Sequence, residues 1–456
     1  MLAIAQALLT AAASLKRREY LIFFLLLFAP FSPRALGVVP GDIDISLTFP
    51  RVAVPLVTIV FIALIARSAR HYDRLVPLLK EPFFQLLIIL GIYKVITTAV
   101  NFVPISYAVE SLVFSTIPFA LFFILATRQS FDLAWKAIAL IVILLVVIAP
   151  IEIAVQRPLF HFIADDNAIK TELLKQRIEG RGYRVYGFYD NTLQLAEFML
   201  YCLPWALFKV MSTSGTKRVG ALLIATSIII LGILTKSRGF MLFGSLTTAT
   251  FFTLYYWNRC SRQLRAILVV VLSLFAFVAA SFFISAFREF LANAPPVQLI
   301  WTMDKGDISL LGRAMQFREV FDTVAMNPWV GVGVLQNFSR ELETISRLDN
   351  YYLRVALESG LPGLVMFLLT LVIFFARFFT HRAKYRTQSE RAFFAMACSL
   401  IVAFAGAKVF LSPPTSNYVF YAMSGLIFGM QMQFERLVLQ RPLKAKTGDR
   451  AKLVPA

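Results

Sequence analysis

Hydrophobic and polar positions alternate along this chain in long blocks rather than in the stripes of a water-soluble domain. About twelve blocks stay apolar for roughly the 20 residues that a helix needs to cross a hydrocarbon core. They run from Leu21 to Gly37, Val52 to Ala69, Pro82 to Val103, Ala108 to Ala126, Trp135 to Val155 and Tyr189 to Val210, then from Arg218 to Thr235, Phe240 to Trp257, Ala266 to Phe287, Leu361 to Phe379, Phe393 to Ser412 and Asn417 to Gln433. Their number and length exclude buried helices of a soluble fold. Pro30 and Pro33 interrupt the first of them. Two polar intervals stand out by length, 156–188 after the fifth run and 288–360 between the ninth and tenth.

The pattern predicts an all-α, polytopic integral membrane protein of about 12 transmembrane helices. Four parts are expected: helices one to nine in 1–287 with a basic outer loop at 156–188, a large, partly helical outer loop in 288–360, helices ten to twelve in 361–433, and a basic tail in 434–456. In the large loop, Leu311, Met315, Val320, Phe321 and Val324 recur at helical spacing, which predicts an amphipathic helix from Leu310 to Met326. Pro328 ends it, and Gly331-Val332-Gly333 makes a tight turn. A second helical stretch is expected from Arg340 through Glu358, with Gly360 as its C-cap. Loops of this length in a compact body are functional or disordered, and this one is too apolar and aromatic for disorder.

Composition agrees: 59% of the 456 residues are hydrophobic, the mean hydropathy is +0.72 and 16% are charged, against about 25% in a soluble domain. Met1 to Leu15 is Ala-rich, but Lys16-Arg17-Arg18 follows this stretch instead of preceding it, which argues against a cleaved signal peptide. Cys202, Cys260 and Cys398 lie far apart with no CxxC pair, so neither a disulfide framework nor a metal site is expected.

The net charge of +19 sets the orientation. With the N-terminus in the cytoplasm, Lys16-Arg17-Arg18, the stretch from Arg67 to Lys80, Lys217-Arg218, Arg259, Arg262, Arg265, Arg382, Lys384, Arg386 and the tail from Arg441 to Lys452 all fall on one side. That is the positive-inside pattern; it places both termini in the cytoplasm and the two long loops outside. Nucleic-acid binding is not needed to explain the basic pI, and the tail reads as a solvated or lipid-facing end.

One outer interval breaks the rule. Residues 156–188 carry Arg157, Lys170, Lys175, Arg177, Arg181 and Arg184. Lys170, Lys175 and Arg177 are balanced by Asp165, Asp166, Glu172 and Glu179 on an exposed helix. Arg181 and Arg184, in the approach to Asn191 and the sixth run, are candidates to bind an anionic ligand, because the guanidinium fork matches phosphate oxygens. Lys94, Glu110, Glu152, Glu197 and Lys408 all fall in the outer halves of their runs, and such a level of costly charges predicts a polar cavity open to the outside. Taken singly, Lys408 and Glu152 are expected to snorkel to the interface. The turn Thr235-Lys236-Ser237-Arg238-Gly239 adds Arg238 at the same level, and Arg313 and Arg318 lie on the loop helix.

At this point the chain resembles the superfamily of O-antigen ligases and Wzy-type polysaccharide polymerases. The motifs are Arg184, Gly187 and Asn191 before helix six, the Ser237-Arg238 turn, Gly312-Arg313 running into Asn327-Pro328-Trp329-Val330-Gly331-Val332-Gly333, and Asn350 followed after nine residues by Gly360-Leu361-Pro362-Gly363. Asp349 stands where the ligases of the superfamily have His. The resemblance implies a metal-independent, cofactor-free glycosyltransferase of the bacterial inner membrane. It would transfer glycan from an undecaprenyl-pyrophosphate-linked oligosaccharide to a glycan acceptor at the periplasmic face, with a chain-length regulator as a further candidate partner. Asp349 and Arg313 would be catalytic, and Arg181, Arg184, Asn191, Arg238, Arg318 and Asn350 would bind pyrophosphate or glycan. The missing His favours a polymerase of exopolysaccharide or O-antigen repeat units over a lipid A-core ligase, although Asp titrates near 3.9 against about 6.5 for His and is the weaker base. A transporter of lipid-linked oligosaccharide is the competing class, but no internal repeat of the transporter kind is visible. A scaffold would not need the outer arginines.

Overall fold

A computed structural model describes residues 20–28, 69–159, 183–189, 191–257, 308–334, 348, 350–410 and 417–451. Among them the chain forms twelve α-helices, one 3-10 turn and no strand. The helices are α1 Tyr20–Phe28, α2 Ala69–Leu79, α3 Pro82–Val100, α4 Ile105–Leu125, α5 Arg128–Val155, α6 Thr192–Ser212, α7 Gly215–Leu234, α8 Arg238–Tyr255, α9 Ile308–Met326, α10 Tyr351–Phe379, α11 Gln388–Phe410 and α12 Asn417–Ala451. Seven are long and apolar enough to cross a membrane: α3, α4, α5, α6, α7, α10 and α11. The expected runs 52–69 and 266–287 lie almost wholly outside the described residues. In α8, Ser245, Thr248 and Thr253 turn their hydroxyls back onto the carbonyls of Met241, Gly244 and Ala249, which explains how a less apolar helix satisfies its polar groups internally.

Local chemistry sets the helix starts. Thr127, Asn191, Ser237 and Asn350 each accept a backbone N–H of the following first turn, and Pro82 occupies the first turn of α3, where its missing N–H costs nothing. The C-terminus of α4 is closed by Arg74, whose guanidinium donates to the carbonyls of Ile124 at 2.6 Å and Ala126 at 2.8 Å.

Most packed helix pairs are antiparallel, while α12 and α4 run parallel, Gly425 lying at Phe119 and Gly429 at Phe123. Helix α12 lies along α4, α3 packs on α4 and α10, and α11 sits between α6, α8 and α10. Gly425 and Gly429 let α12 approach α4, since a Cβ at either would overlap the carbonyl of Phe119 or Phe123. Rings of Phe83, Phe119, Phe374, Phe378 and Phe428 knit α3, α4, α10 and α12, with centroids 5.0 to 5.5 Å apart for Phe374–Phe428, Phe378–Phe428, Phe83–Phe119 and Phe119–Phe428. A second, smaller core joins α9 to the start of α10 through Val320, Val324, Val332, Leu353 and Leu357. The predicted amphipathic helix is therefore present, and Val320 and Val324 bury its apolar face.

The second helix predicted in the loop is present in its C-terminal part, and residues 340–347 and 349 of it lie outside the described residues. Helix α10 starts at Tyr351, capped by Asn350, and comprises two helical halves that together reach Phe379. It breaks at Ser359 (φ −138°, ψ 17°) and Gly360 (φ 65°, ψ −170°) and then resumes. The first half therefore ends where expected, at Glu358 with Gly360 at positive φ closing it, and the second half folds back along it, with the rings of Tyr351 and Tyr352 5.2 and 5.6 Å from that of Phe367.

Candidate functional site

The break in α10 creates the joint on which the site is built. It leaves the carbonyls of Leu357 and Glu358 and the N–H of Leu361 without helical partners. The turn after α9 supplies them. Val332 N donates to Leu357 O at 2.8 Å, Gly333 N to Glu358 O at 3.0 Å, and Leu361 N to Pro328 O at 2.8 Å. Gly331 and Gly360 face each other across this seam, where a Cβ on Gly331 would overlap Leu357 O and one on Gly360 would lie 2.5 Å from Pro328 O. Helix α3 grips the other side: Thr98 Oγ1 accepts from Val334 N at 3.0 Å, and the Tyr93 hydroxyl donates to Trp329 O.

Beneath this joint lies a layer of buried charge. The two oxygens of Glu358 accept from Arg354 Nε at 2.6 Å and from Lys94 Nζ at 2.9 Å. Lys408 Nζ, fully buried, donates to Glu197 Oε1 at 2.5 Å, and the Tyr201 hydroxyl donates to the same oxygen. Tyr351 connects the two groups, with Lys94 Nζ 5.7 Å and Lys408 Nζ 5.3 Å from its ring centroid. Among the described residues, Lys94, Arg354 and Lys408 thus gather around two carboxylates. A cavity of about 20 Å³ beside Lys94, Ser111, Ser115, Tyr351, Asn417 and Tyr421 has room for about one water. Of the membrane charges from which an outward cavity was expected, Lys94, Glu197 and Lys408 are satisfied here by pairing, because apposed helices satisfy a buried charge with another charge.

The approach to α6 is organised by Glu152. Its carboxylate is fully buried and accepts the N–H groups of Tyr186 at 2.9 Å, Gly187 at 3.1 Å and Leu159 at 3.1 Å. It binds both ends of the 156–188 interval and does not snorkel; Lys408, paired to Glu197, does not either. Burial pushes the Tyr183 phenol well above its ordinary range, with the neighbouring Glu152 carboxylate adding to the shift, so this group is a neutral hydroxyl at physiological pH. Replacing Glu152 with Ala would leave three inward N–H groups without an acceptor, at about 1–3 kcal/mol for each group that stays buried. We expect Glu152→Ala to open 156–188 to limited proteolysis while the remainder of the chain stays resistant, and unchanged cleavage would contradict the anchoring role.

Arg184, also buried, donates from Nε to Thr235 O at 2.7 Å, and Val185 N donates to Leu234 O at 3.3 Å. The structure therefore brings Arg184 to the Thr235–Ser237 turn that carries Arg238, as two separated motifs in sequence would have to meet to share an anion. Arg238 is exposed at the first turn of α8. Asn191 caps α6 by accepting Leu193 N at 2.8 Å, and Asn350 caps α10 by accepting Tyr352 N at 2.9 Å and Leu353 N at 3.1 Å. Arg318 stands on the exposed face of α9. Asp349, Arg181 and the side chain of Arg313 lie outside the described residues. Sequence reasoning missed Glu358, Tyr93, Thr98 and Tyr351. For Glu358 the signal was present, since it sits four residues after Arg354 and two before Gly360.

Among the described residues, the helices define a multi-pass, all-helical membrane protein with a buried charged layer beside the joint. Within it, residues 221–368 match the family model of the O-antigen ligases. The match spans the Ser237-Arg238 turn, α9, the Asn327–Gly333 turn and the break of α10. It supports an O-antigen ligase/Wzy-type reading of this stretch of the chain. No curated protein matches the chain.

Proposed function

We propose that the protein is a polymerase of lipid-linked polysaccharide repeat units, working at the periplasmic face of the bacterial inner membrane. The acceptor sugar hydroxyl attacks the anomeric carbon of the donor glycan, and a new glycosidic C–O bond forms. The bond from that carbon to the phosphate oxygen breaks, and undecaprenyl pyrophosphate leaves with the electron pair. The hydroxyl proton passes to Asp349. Arginines at the outer end, Arg184, Arg238 and Arg313, balance the charge that develops on the leaving group, in the place a metal ion takes in other transferases. Arg181, Arg318, Asn191 and Asn350 complete the binding surface.

The observation that carries this reading is the joint at Gly331 and Gly360. It lies inside the family match, and Asn350, at the start of α10, adjoins the buried layer that gathers Lys94, Arg354 and Lys408. Such a layer favours a ligand that arrives as a pyrophosphate. Polymerase is preferred to lipid A-core ligase because Asp349 replaces the ligase His.

Asp349→Asn and Asp349→His, expressed in cells whose polymer is displayed by length on a gel, test the base. A general base contributes about 10²–10⁴-fold, so Asn is expected to remove long polymer and His to retain it. Unchanged chain length with Asn would take the role away from Asp349.

A further inference from the structure

At the end of the bundle opposite Asn350, a groove of about 1300 Å³ opens between α5 and α7, floored by Phe208, Phe393, Met430 and Phe434. Its walls are apolar and turned outward, with Val147 of α5 60% and Leu223 of α7 65% exposed. From Lys136 to Val147 and from Lys217 to Ser227 these walls are about 16 and 15 Å deep at the helical rise, close to half of a roughly 30 Å hydrocarbon core. The mouth carries Arg128, Lys136, Lys209 and Lys217. Among the described residues, Asp132 is the one carboxylate in the lining, and it pairs with Lys209 at 2.6 Å. Arg128, Lys136 and Lys217 have no carboxylate partner among the described residues.

The slot is one leaflet deep, apolar along its length and closed at the mouth by an excess of three cations. A soluble anion would match the mouth and gain nothing from the walls. An apolar chain alone would match the walls and leave the cations unused. We propose that this groove holds one acidic phospholipid, its phosphate among Arg128, Lys136 and Lys217 and an acyl chain lying between α5 and α7. Juxtamembrane lysines and arginines attract anionic headgroups, and here the apolar slot fixes the lipid that they select. The site is separate from the transfer chemistry at the other end of the bundle.

Native mass spectrometry of the full chain, exchanged into detergent with phosphatidylglycerol or with phosphatidylcholine of the same acyl chains, tests it. The native protein is expected to retain one phosphatidylglycerol with a preference on the order of tenfold over phosphatidylcholine. Arg128→Ala, Lys136→Ala and Lys217→Ala combined should bring that preference near unity. Gly220→Phe should displace both lipids without disturbing the fold, because a Cβ at Gly220, in the groove wall, meets nothing within 4 Å. Equal retention of the two lipids by the native protein, or undiminished phosphatidylglycerol in the triple variant, would overturn the proposal. So would a native protein that holds no lipid while a cysteine placed at 220 cross-links to another segment of the chain or to a second copy.

Discussion

Glu358→Ala is expected to destabilise the folded protein by about 3–5 kcal/mol, the range for removing one member of a buried ion pair. The reason is the asymmetry of the cluster. Glu358 is the shared acceptor of Lys94 and Arg354, so its loss leaves Lys94, fully inside the bundle, without its paired carboxylate and takes one from Arg354. Lys94→Met removes one cation and leaves Glu358 paired to Arg354, so it should cost clearly less. The pair of variants separates a working ion cluster from mere packing, since methionine and lysine fill similar space. Thermal unfolding of the purified protein in detergent, followed by loss of the monodisperse elution peak, reads the difference. A transition at least as high for Glu358→Ala as for Lys94→Met would show that the cluster does not hold α3 to α10.

The second large effect is expected at the seam between the α9 turn and the α10 break. Gly331 has φ +62°, where an L-residue costs about 1–2 kcal/mol, and its missing Cβ makes room for the backbone at Leu357, Ser359 and Gly360. Asn adopts positive φ more readily than other residues, so conformational cost alone would be eased by Gly331→Asn. Overlap would not be. We therefore expect Gly331→Ala and Gly331→Asn both to undock the turn, expose 327–334 to protease and abolish product. Gly215 provides the contrast: φ +60° with nothing within 4 Å of a Cβ, so Gly215→Asn should be tolerated. If Gly331→Asn keeps full protease resistance, the backbone seam is not what positions Asn350.

Much of this architecture was legible in the blocks of the sequence. Helix α9 followed from Val320, Phe321 and Val324 at helical spacing, whereas Asn191, Ser237 and Asn350 were legible only as motif positions, and the structure adds their roles as helix caps. The glycines of the Asn327–Gly333 and Gly360–Gly363 motifs were recognisable as motifs, but not as partners, because hydrogen bonds between carbonyls 357 and 358 and amides 332 and 333 depend on a helix break that periodicity cannot show. The pairing of charges was hidden for a similar reason. Lys94 and Glu358 are separated by 264 positions and Glu197 and Lys408 by 211, so nothing local distinguishes a charge that will be buried with a partner from one that snorkels. Glu152 misleads in the same way, since its partners are backbone N–H groups that have no signature in side-chain chemistry.

The most direct test of the central claim is bond formation by the isolated protein. Full-length protein in lipid nanodiscs is given undecaprenyl-pyrophosphate-linked oligosaccharide, with no nucleotide and no energy source, and the glycans and lipids are resolved by mass spectrometry. Polymerisation predicts glycans of two and more repeat units on the carrier, together with one free undecaprenyl pyrophosphate for each new linkage. Recovery of only the single unit, or its movement across a sealed vesicle containing the protein without release of the carrier, would contradict it.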